Sequence, residues 1–190
     1  QFNFFFPAFR DSRYTRVDGK LLFAVFAPFS IPDVELFVKT WRRLALENGL
    51  NGFYFVAYNR ERTKTGDLFK LGFDSTIEDL MDDFRESHWA YNNVFCRALR
   101  KVCGIPVGNN AKDYYDFFVE HFEFKDGVCP CIYPNWDHSA RSGNIATIFR
   151  NAEPSLWGDF CKKLFGKIKR DGELVFVKSW NEWGEGNYLE

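Results

Sequence analysis

Residues 21–57 carry two apolar runs on either side of an amphipathic segment, and this pattern restricts the fold more than any other part of the chain. The run Leu21–Ala27 predicts a strand buried on both faces, as in parallel sheets. Asp33 is placed to cap a following helix with an apolar stripe, and Gly49 to end it in a left-handed conformation. A second strand is predicted over Gly52–Ala57. Together they predict a βαβ unit with parallel strands and a right-handed crossover.

The remaining sequence continues this alternation of strands and helices. It predicts helices over 76–86, 111–122 and 154–170, a helix followed by a short strand around Ile105–Val107 within 92–107, and strands over 128–133 and 174–177. Such an order is typical of a parallel α/β domain. A closed eight-stranded barrel has about 250 residues. The 190 residues here are too few for such a barrel, and the single domain predicted over residues 1–190 looks truncated at both ends. A partial parallel sheet of this kind is expected to be marginally stable by itself, because its strand edges stay open.

Composition and charge exclude several classes of function. The formal net charge of −1 gives no general electrostatic basis for binding nucleic acid or an anionic membrane. The longest apolar stretch, Leu21–Phe29, is too short to span a bilayer, so no transmembrane segment is predicted.

The odd number of cysteines, 5, favours reduced, mostly buried thiols over disulfides. A cytoplasmic protein is expected, and because Gln1 is not an initiator residue, the native N-terminus is expected upstream of it.

No cofactor and no metal ion are predicted. Cys129 and Cys131 stand too close together for the usual structural zinc spacing, and no second Cys/His pair is placed to complete a site. Neither common glycine-rich phosphate-binding pattern is present, which argues against a nucleotide-binding fold of the usual kinds.

The strongest functional signal is the segment 180–190, which directly follows the predicted strand 174–177. In parallel α/β folds, catalytic groups lie beyond the carboxyl ends of the strands. Glu182 and Glu185 have an i, i+3 spacing, which brings two carboxyl groups to one side of a turn or short helix. Such a pair can flank a glycosidic bond as general acid and general base. The alternative is two solvated acids in a surface loop.

Side chains around these acids are expected to bind the substrate. Indole and phenol rings can stack on sugar faces, and amides can bond to hydroxyl groups. In the segment 180–190 the substrate-binding candidates are Trp180, Asn181, Trp183 and Tyr188.

A second polar segment follows the predicted strand 128–133, so it is expected at the same edge of the sheet. Tyr133 and Trp136 offer aromatic surface, while Asp137, His138 and Arg141 offer hydrogen bonds to hydroxyls or to a charged group. The alternative is a loop in which Asp137 and Arg141 pair with each other.

Two more segments are candidates by position alone, because each follows a strand of the βαβ unit: Pro28–Ser30 and Tyr58–Glu61.

Together these segments resemble the WbsX-like proteins, a glycoside hydrolase family 99-like group. Members are usually described as glycosyltransferases of bacterial surface-polysaccharide gene clusters. The resemblance covers most of the chain through Tyr14–Lys20, Ile31–Asp33, Pro134–Asp137 with Arg141, Asn144–Phe149 and Trp180–Glu190. One departure lies at His138–Ala140, where the family usually has a threonine or a similar residue.

The resemblance implies a parallel (β/α)8 TIM-barrel-like fold, of which this chain is the later part, and a glycan or sugar substrate. By analogy with the family 99 endo-mannosidases, Glu182 would match the base that takes a proton from the sugar 2-hydroxyl, which forms a 1,2-anhydro intermediate. Glu185 would match the acid/base that protonates the leaving oxygen and then activates water.

Two questions about function stay open at this point. A general acid serves both hydrolysis and glycosyl transfer, so the sequence does not choose between them. The rival hypothesis from another class is a non-catalytic glycan-binding or scaffold protein of a polysaccharide biosynthesis system, which keeps the aromatic segment only as a platform.

Overall fold

In the computed structural model, residues 1–58, 65–104, 106, 108–169 and 173–189 are described. The helices are α1 (Phe2–Arg10), α2 (Val34–Glu47), α3 (Thr65–Lys70), α4 (Met81–Ser87), α5 (Trp89–Asn92), α6 (Val94–Cys103), α7 (Ala111–His121), α8 (Ser139–Ser142) and α9 (Pro154–Phe165). The strands are β1 (Arg16–Val17), β2 (Lys20–Phe26), β3 (Phe53–Tyr58), β4 (Ser75–Glu78), β5 (Gly108–Asn110), β6 (Val128–Ile132), β7 (Ile148–Arg150), β8 (Phe176–Val177), β9 (Asn181–Glu182) and β10 (Asn187–Tyr188).

The chain forms two compact units. Unit 1 consists of Gln1–Glu78 and Lys125–Cys129, and unit 2 consists of Asp79–Phe124 and Pro130–Glu190. The first residues of β6 therefore belong to unit 1 and its last residues to unit 2.

Unit 1 contains the predicted βαβ unit. Strands β2 and β3 are parallel, with Leu21 opposite Phe53, and α2 connects them. The Asp33 carboxylate accepts a hydrogen bond from the Leu36 backbone N–H at 2.9 Å, and Gly49 has a φ of +74°. The strand order is β1-β2-β3-β4-β6, with β1 antiparallel to β2 and β4 parallel to β3. The βαβ prediction and both helix-end predictions are confirmed.

The core of unit 1 is built largely from aromatic rings on α1, α2, β2 and β3. Phe9 meets Phe53 edge-on with ring centroids 5.0 Å apart, and Trp41 packs on Phe23 at 4.8 Å. This core covers one side of β2, where Leu21 and Val25 are buried. The prediction that β2 is buried on both faces is therefore wrong, because the alternate residues of the strand point away from the core.

In unit 2, helices α7 and α9 pack on each other, and the later strands pair beside them. Tyr115 of α7 stacks on Phe160 of α9 with centroids 4.6 Å apart, and its hydroxyl donates to the Pro134 carbonyl at 2.5 Å. Burial raises the pKa of Tyr115 well above its ordinary value. The end of β6 pairs in parallel with β8, with Cys131 opposite Phe176, while β5 and β7 form a separate parallel pair. The α/β class with parallel strands is confirmed.

Three predicted elements differ from the structure. The helix predicted over 76–86 is wrong in its first half, because Thr76 and Ile77 pair with β3 as part of β4, and α4 begins only at Met81. Tertiary pairing and β-branched residues outweigh the helical periodicity there. The helix predicted over 154–170 ends at Phe165, before Gly166.

The strand predicted over 174–177 is shorter and less buried than expected. Only Phe176 and Val177 are in β8, and Val177 is 40% exposed. In the part of the chain that the structure describes, β8 pairs only with β6, which leaves its other edge open. The strand predicted around Ile105–Val107 lies mostly outside the described residues, and β5 follows it.

The thiols are free but less buried than predicted. Cys129 and Cys131 are buried, Cys96 and Cys161 are half-buried, and Cys103 is exposed. The difference arises because α6, which carries two of them, has no buried residue. Among the described residues, no helix combines the length and apolar character needed to cross a membrane.

The aromatic core of unit 1 makes a direct prediction about stability. Phe55 has a relative exposure of 0%, and Phe4 one of 81%. Phe55→Ala leaves a cavity, so it is expected to lower the free energy of unfolding by about 3–5 kcal/mol. Phe4→Ala is the matched control and is expected to change it by less than about 0.5 kcal/mol. Urea unfolding followed by circular dichroism measures both, and equal unfolding midpoints would contradict the packing described.

Candidate functional site

The segment with the two predicted acids folds into a small hairpin in unit 2. Strands β9 and β10 are antiparallel, with Asn187 opposite Glu182 and Tyr188 opposite Asn181. A 3-10 turn over Trp183–Glu185 connects them. The Leu189 backbone N–H donates to the Trp180 carbonyl at 3.0 Å and closes the open end. The hairpin therefore presents Glu182 and Glu185 at the two ends of one turn.

The hairpin docks on the segment that follows β6. The Asp137 backbone N–H donates to the Glu185 carbonyl at 3.0 Å. Gly186 has a φ of +54°, and a Cβ on it would lie 3.0 Å from the Asp137 carbonyl oxygen and 3.2 Å from the Asp137 nitrogen. A larger residue would need a strained positive φ and a shift of the neighbouring Asp137 atoms by a few tenths of an ångström, so glycine is favoured here. The structure therefore brings the two polar segments singled out in the sequence into direct contact.

An ion pair joins the same two segments. Arg141 Nη1 contacts Glu185 Oε1, and the side chains are 73% and 18% exposed respectively. The Asp137 carboxylate instead accepts the Ser139 backbone N–H at 3.0 Å. The alternative that Asp137 and Arg141 pair with each other is therefore not what the structure contains.

Glu182 has a different environment from Glu185. It is exposed, and its Oε1 would lie 3.2 Å from a Cβ on Gly184. Among the described residues it has no ion-pair partner. Its cross-strand neighbour Asn187 is fully buried, and neither amide atom of Asn187 has a hydrogen-bond partner in the described part of the chain. One acid is thus paired and shielded, and the other is solvated.

Trp136 lies in an aromatic stack. Its ring is parallel to Tyr133, within 3° and with centroids 5.0 Å apart, and it also stacks with His138 at 5.0 Å. Lys178 Nζ lies 5.3 Å from the Trp136 centroid and 5.5 Å from that of Tyr133. The Tyr133 hydroxyl donates to Asp79 Oδ2 at 2.9 Å. Much of this aromatic surface is therefore in contact with protein groups.

The more accessible rings lie on the hairpin itself. Trp180 is 64% exposed and Trp183 is 58% exposed, whereas Trp136 is half-buried. Tyr188 supports Trp183 from one side, with centroids 4.4 Å apart and an interplanar angle of 27°. These two indoles offer the larger surfaces for stacking on a ligand.

Lys178 and Asp79 lie beside these aromatic rings but were not predicted from the sequence. Lys178 directly follows β8, and its backbone N–H donates to the Ile132 carbonyl at 2.9 Å. Asp79 directly follows β4, so its position after a strand was the signal, but that strand was predicted as part of a helix. The pKa of the Cys131 thiol is raised to about 12, mainly by burial and also by the nearby Asp79, with Lys178 acting in the opposite direction. Cys131 is therefore not a nucleophile at neutral pH.

The candidates chosen by position alone lie in unit 1. Pro28–Ser30 forms a 3-10 turn directly after Ala27, which has a φ of 49°. Tyr58 ends β3, and its ring stacks on Phe26 with centroids 5.5 Å apart. Asn59, Arg60 and Glu61 lie outside the described residues, so their role stays a prediction.

The contact between Gly186 and Asp137 can be tested by substitution. Gly186→Ala introduces a methyl group at a strained φ and against the Asp137 backbone, so it is expected to cost about 2 kcal/mol of stability. Gly184→Ala is the control, because its methyl group meets only the flexible Glu182 side chain. Thermal unfolding of both variants measures the difference. Equal stability of the two would contradict the docking described.

Comparison with solved structures gives two similar folds. A glycoside hydrolase-like protein aligns with a TM-score of 0.56 and 17% identity, over 100% of this chain and 52% of its own. The GH99 endo-alpha-mannosidase from Bacteroides thetaiotaomicron aligns with a TM-score of 0.54 and 14% identity, over 98% of this chain and 50% of its own. These likenesses show a shared fold over about half of each protein.

Comparison of sequences gives longer relatives. The uncharacterized protein WxcX of two strains of Xanthomonas campestris pv. campestris is 25% identical over 95% of this chain. The chain spans 26% of the length of these curated relatives. A family model described as glycosyltransferase WbsX matches residues 1–190. The resemblance carried by the sequence motifs is confirmed, and the chain belongs to the WbsX glycosyltransferase family.

Proposed function

We propose that this chain forms part of a carbohydrate-active enzyme that acts on a glycosidic bond, with Glu182 and Glu185 as its acid–base pair. The observation that carries the proposal is the hairpin turn, which holds two carboxyl groups in different environments. Glu185 is shielded and paired with Arg141, while Glu182 is solvated. Pairs of carboxyl groups in unlike surroundings are typical of acid–base catalysis. Membership of a glycosyltransferase family supports carbohydrate chemistry.

The fold part of the proposal concerns a barrel. We propose that the parallel strands are the later strands of a (β/α)8 barrel, since about half of each similar solved structure is covered. In such a barrel the segments after β4, β6 and β8 share the rim at the carboxyl ends of the strands, where active sites lie. Asp79, Asp137 and the hairpin occupy these positions.

The proposed reaction begins with proton transfers at the two acids. Glu182 takes the proton of the sugar 2-hydroxyl, and the freed oxygen attacks the anomeric carbon. As the anomeric carbon loses its bond to the leaving oxygen, Glu185 gives its proton to that oxygen. The product of this step is a 1,2-anhydro sugar. Water or a sugar hydroxyl then attacks the anomeric carbon, with Glu185 as base, and Glu182 returns its proton to the 2-oxygen. The choice of acceptor decides between hydrolysis and transfer.

The surrounding side chains have proposed binding roles. Trp180 and Trp183 stack on sugar faces, with Tyr188 holding the second indole in place. Asn181 is exposed beside them and can bond to hydroxyls. The stacked pair Tyr133 and Trp136, together with Asp137, is proposed to contribute further contacts to the sugar.

Substitution of the acids tests the proposal. Glu182→Gln and Glu185→Gln each keep the shape of the side chain but remove its proton chemistry, so turnover is expected to fall about 100- to 10,000-fold. The exposed Glu120, on α7, supplies the control Glu120→Gln, which is expected to behave as the wild type. The probe is a set of α-mannooligosaccharides, because one similar structure is an endo-alpha-mannosidase. Release of reducing ends is measured.

The same experiment distinguishes the catalytic proposal from the rival hypothesis of a non-catalytic glycan-binding protein. Turnover that is equal in the wild type and both acid variants would contradict the catalytic pair. Calorimetric binding of the oligosaccharides by the wild type without any turnover, abolished in Trp180→Ala, would instead favour a glycan-binding protein.

A further inference from the structure

We infer that Arg141 is a positioning residue for Glu185, one that orients the carboxyl group and stabilises the negative charge left on it when it gives its proton to the leaving oxygen. This inference rests on the proposed function. It changes the role expected of Arg141, which the sequence assigned to direct binding of the substrate.

The first support is that one short segment holds Glu185 at two points. The Asp137 backbone N–H binds the Glu185 carbonyl at 3.0 Å, and Arg141 binds its carboxylate. The segment between them is ordered by its own hydrogen bonds, since Ser139 N–H donates to Asp137 Oδ1 at 3.0 Å and Arg141 N–H to the His138 carbonyl at 3.1 Å. The backbone and the side chain of Glu185 are thus fixed by the same element.

The second support is that this segment is itself anchored in unit 2. The Phe149 N–H donates to the Trp136 carbonyl at 2.7 Å, and the Thr147 N–H donates to His138 Nδ1 at 3.2 Å. The guanidinium group of Arg141 therefore comes from a segment that is held in place by other parts of unit 2. Support of this kind is what holds a catalytic group in a productive geometry.

The third support is the difference in exposure across the pair. The Glu185 side chain is 18% exposed, and that of Arg141 is 73% exposed. An exposed ion pair contributes little, but a carboxylate that is largely removed from water depends on its partner for charge stabilisation. Among the described residues, Arg141 is the one cation in an ion pair with Glu185.

The fourth support is the geometry of the contact at the carboxyl group. Arg141 Nη1 contacts Oε1, whereas Oε2 has no hydrogen-bond partner in the described part of the chain. Oε2 is therefore the oxygen available to carry the proton and pass it to the substrate. As the proton leaves Oε2, the negative charge spreads over both oxygens, and a preorganised cation at Oε1 stabilises it.

The experiment compares Arg141→Gln and Arg141→Lys in the full chain, with the α-mannooligosaccharides as probe. Arg141→Gln is expected to lower kcat about 10- to 100-fold. KM is expected to change less than about threefold, since the interaction strengthens in the transition state. Arg141→Lys keeps the charge and is expected to recover part of the loss. The control is Arg97→Gln, because Arg97 is an exposed residue of α6, and it is expected to keep the wild-type kcat.

A double variant distinguishes action through Glu185 from direct binding. In the Glu185→Gln background there is no charge to stabilise, so Arg141→Gln is expected to cause no further loss of kcat. A loss that multiplies with that of Glu185→Gln would overturn the inference, as would a rise in KM alone. Thermal unfolding of each variant shows that it is folded, and addition of guanidinium chloride at low millimolar concentration to Arg141→Gly is expected to restore part of its turnover.

The outcomes also separate this inference from the proposed function. Absence of turnover in the wild type would overturn both. Turnover in the wild type that needs Glu185 but is unchanged in Arg141→Gln would overturn only the role given to Arg141.

Discussion

The close approach of Gly186 to the Asp137 backbone is the contact on which the candidate site depends. A Cβ at residue 186 would lie 3.0 Å from the Asp137 carbonyl oxygen and would hold a strained positive φ, so a glycine at this residue favours docking of the hairpin. Docking brings the Glu185 carbonyl to the Asp137 N–H and its carboxylate to Arg141. The contact between Gly186 and the Asp137 backbone thereby determines the surroundings of the Glu185 carboxyl group.

This contact follows from the order of the strands. The last residues of β6 pair with β8 in parallel, so the two strands end at the same edge and the segments that follow them begin side by side. The hydrogen bond from Lys178 N–H to the Ile132 carbonyl extends the pairing to that edge. A parallel sheet thus supplies neighbouring loops, and their small and polar residues determine what the loops can do.

The parts of the fold that follow local rules were predictable. Periodicity and capping residues that are close together in sequence mark the βαβ unit, α7 and the strand that begins at Val128. Glu182 and Glu185 became candidates for the same reason, since they are close in sequence and flanked by tryptophan and glycine residues. The WbsX family was also recognisable, because its motifs are spread over the chain in order.

The parts that depend on distant contacts were not predictable. Thr76 and Ile77 lie in a strand because β3 pairs with them, and this hid Asp79 as a residue at a strand end. The partner of Arg141 is 44 residues away in sequence. Lys178 Nζ lies 5.3 Å from the centroid of the Trp136 ring, although Lys178 follows a different strand, β8. No local pattern contains that information.

We propose that Glu182 and Glu185 face one sugar linkage. A crystal structure of the Glu185→Gln variant with a bound α-mannooligosaccharide tests it most directly, because the variant retains the hairpin but cannot pass on a proton. The glycosidic oxygen is expected within hydrogen-bond distance of the residue 185 side chain, the 2-hydroxyl beside Glu182, and a sugar ring against Trp180 or Trp183. An oligosaccharide bound with its linkages out of reach of both side chains would contradict it.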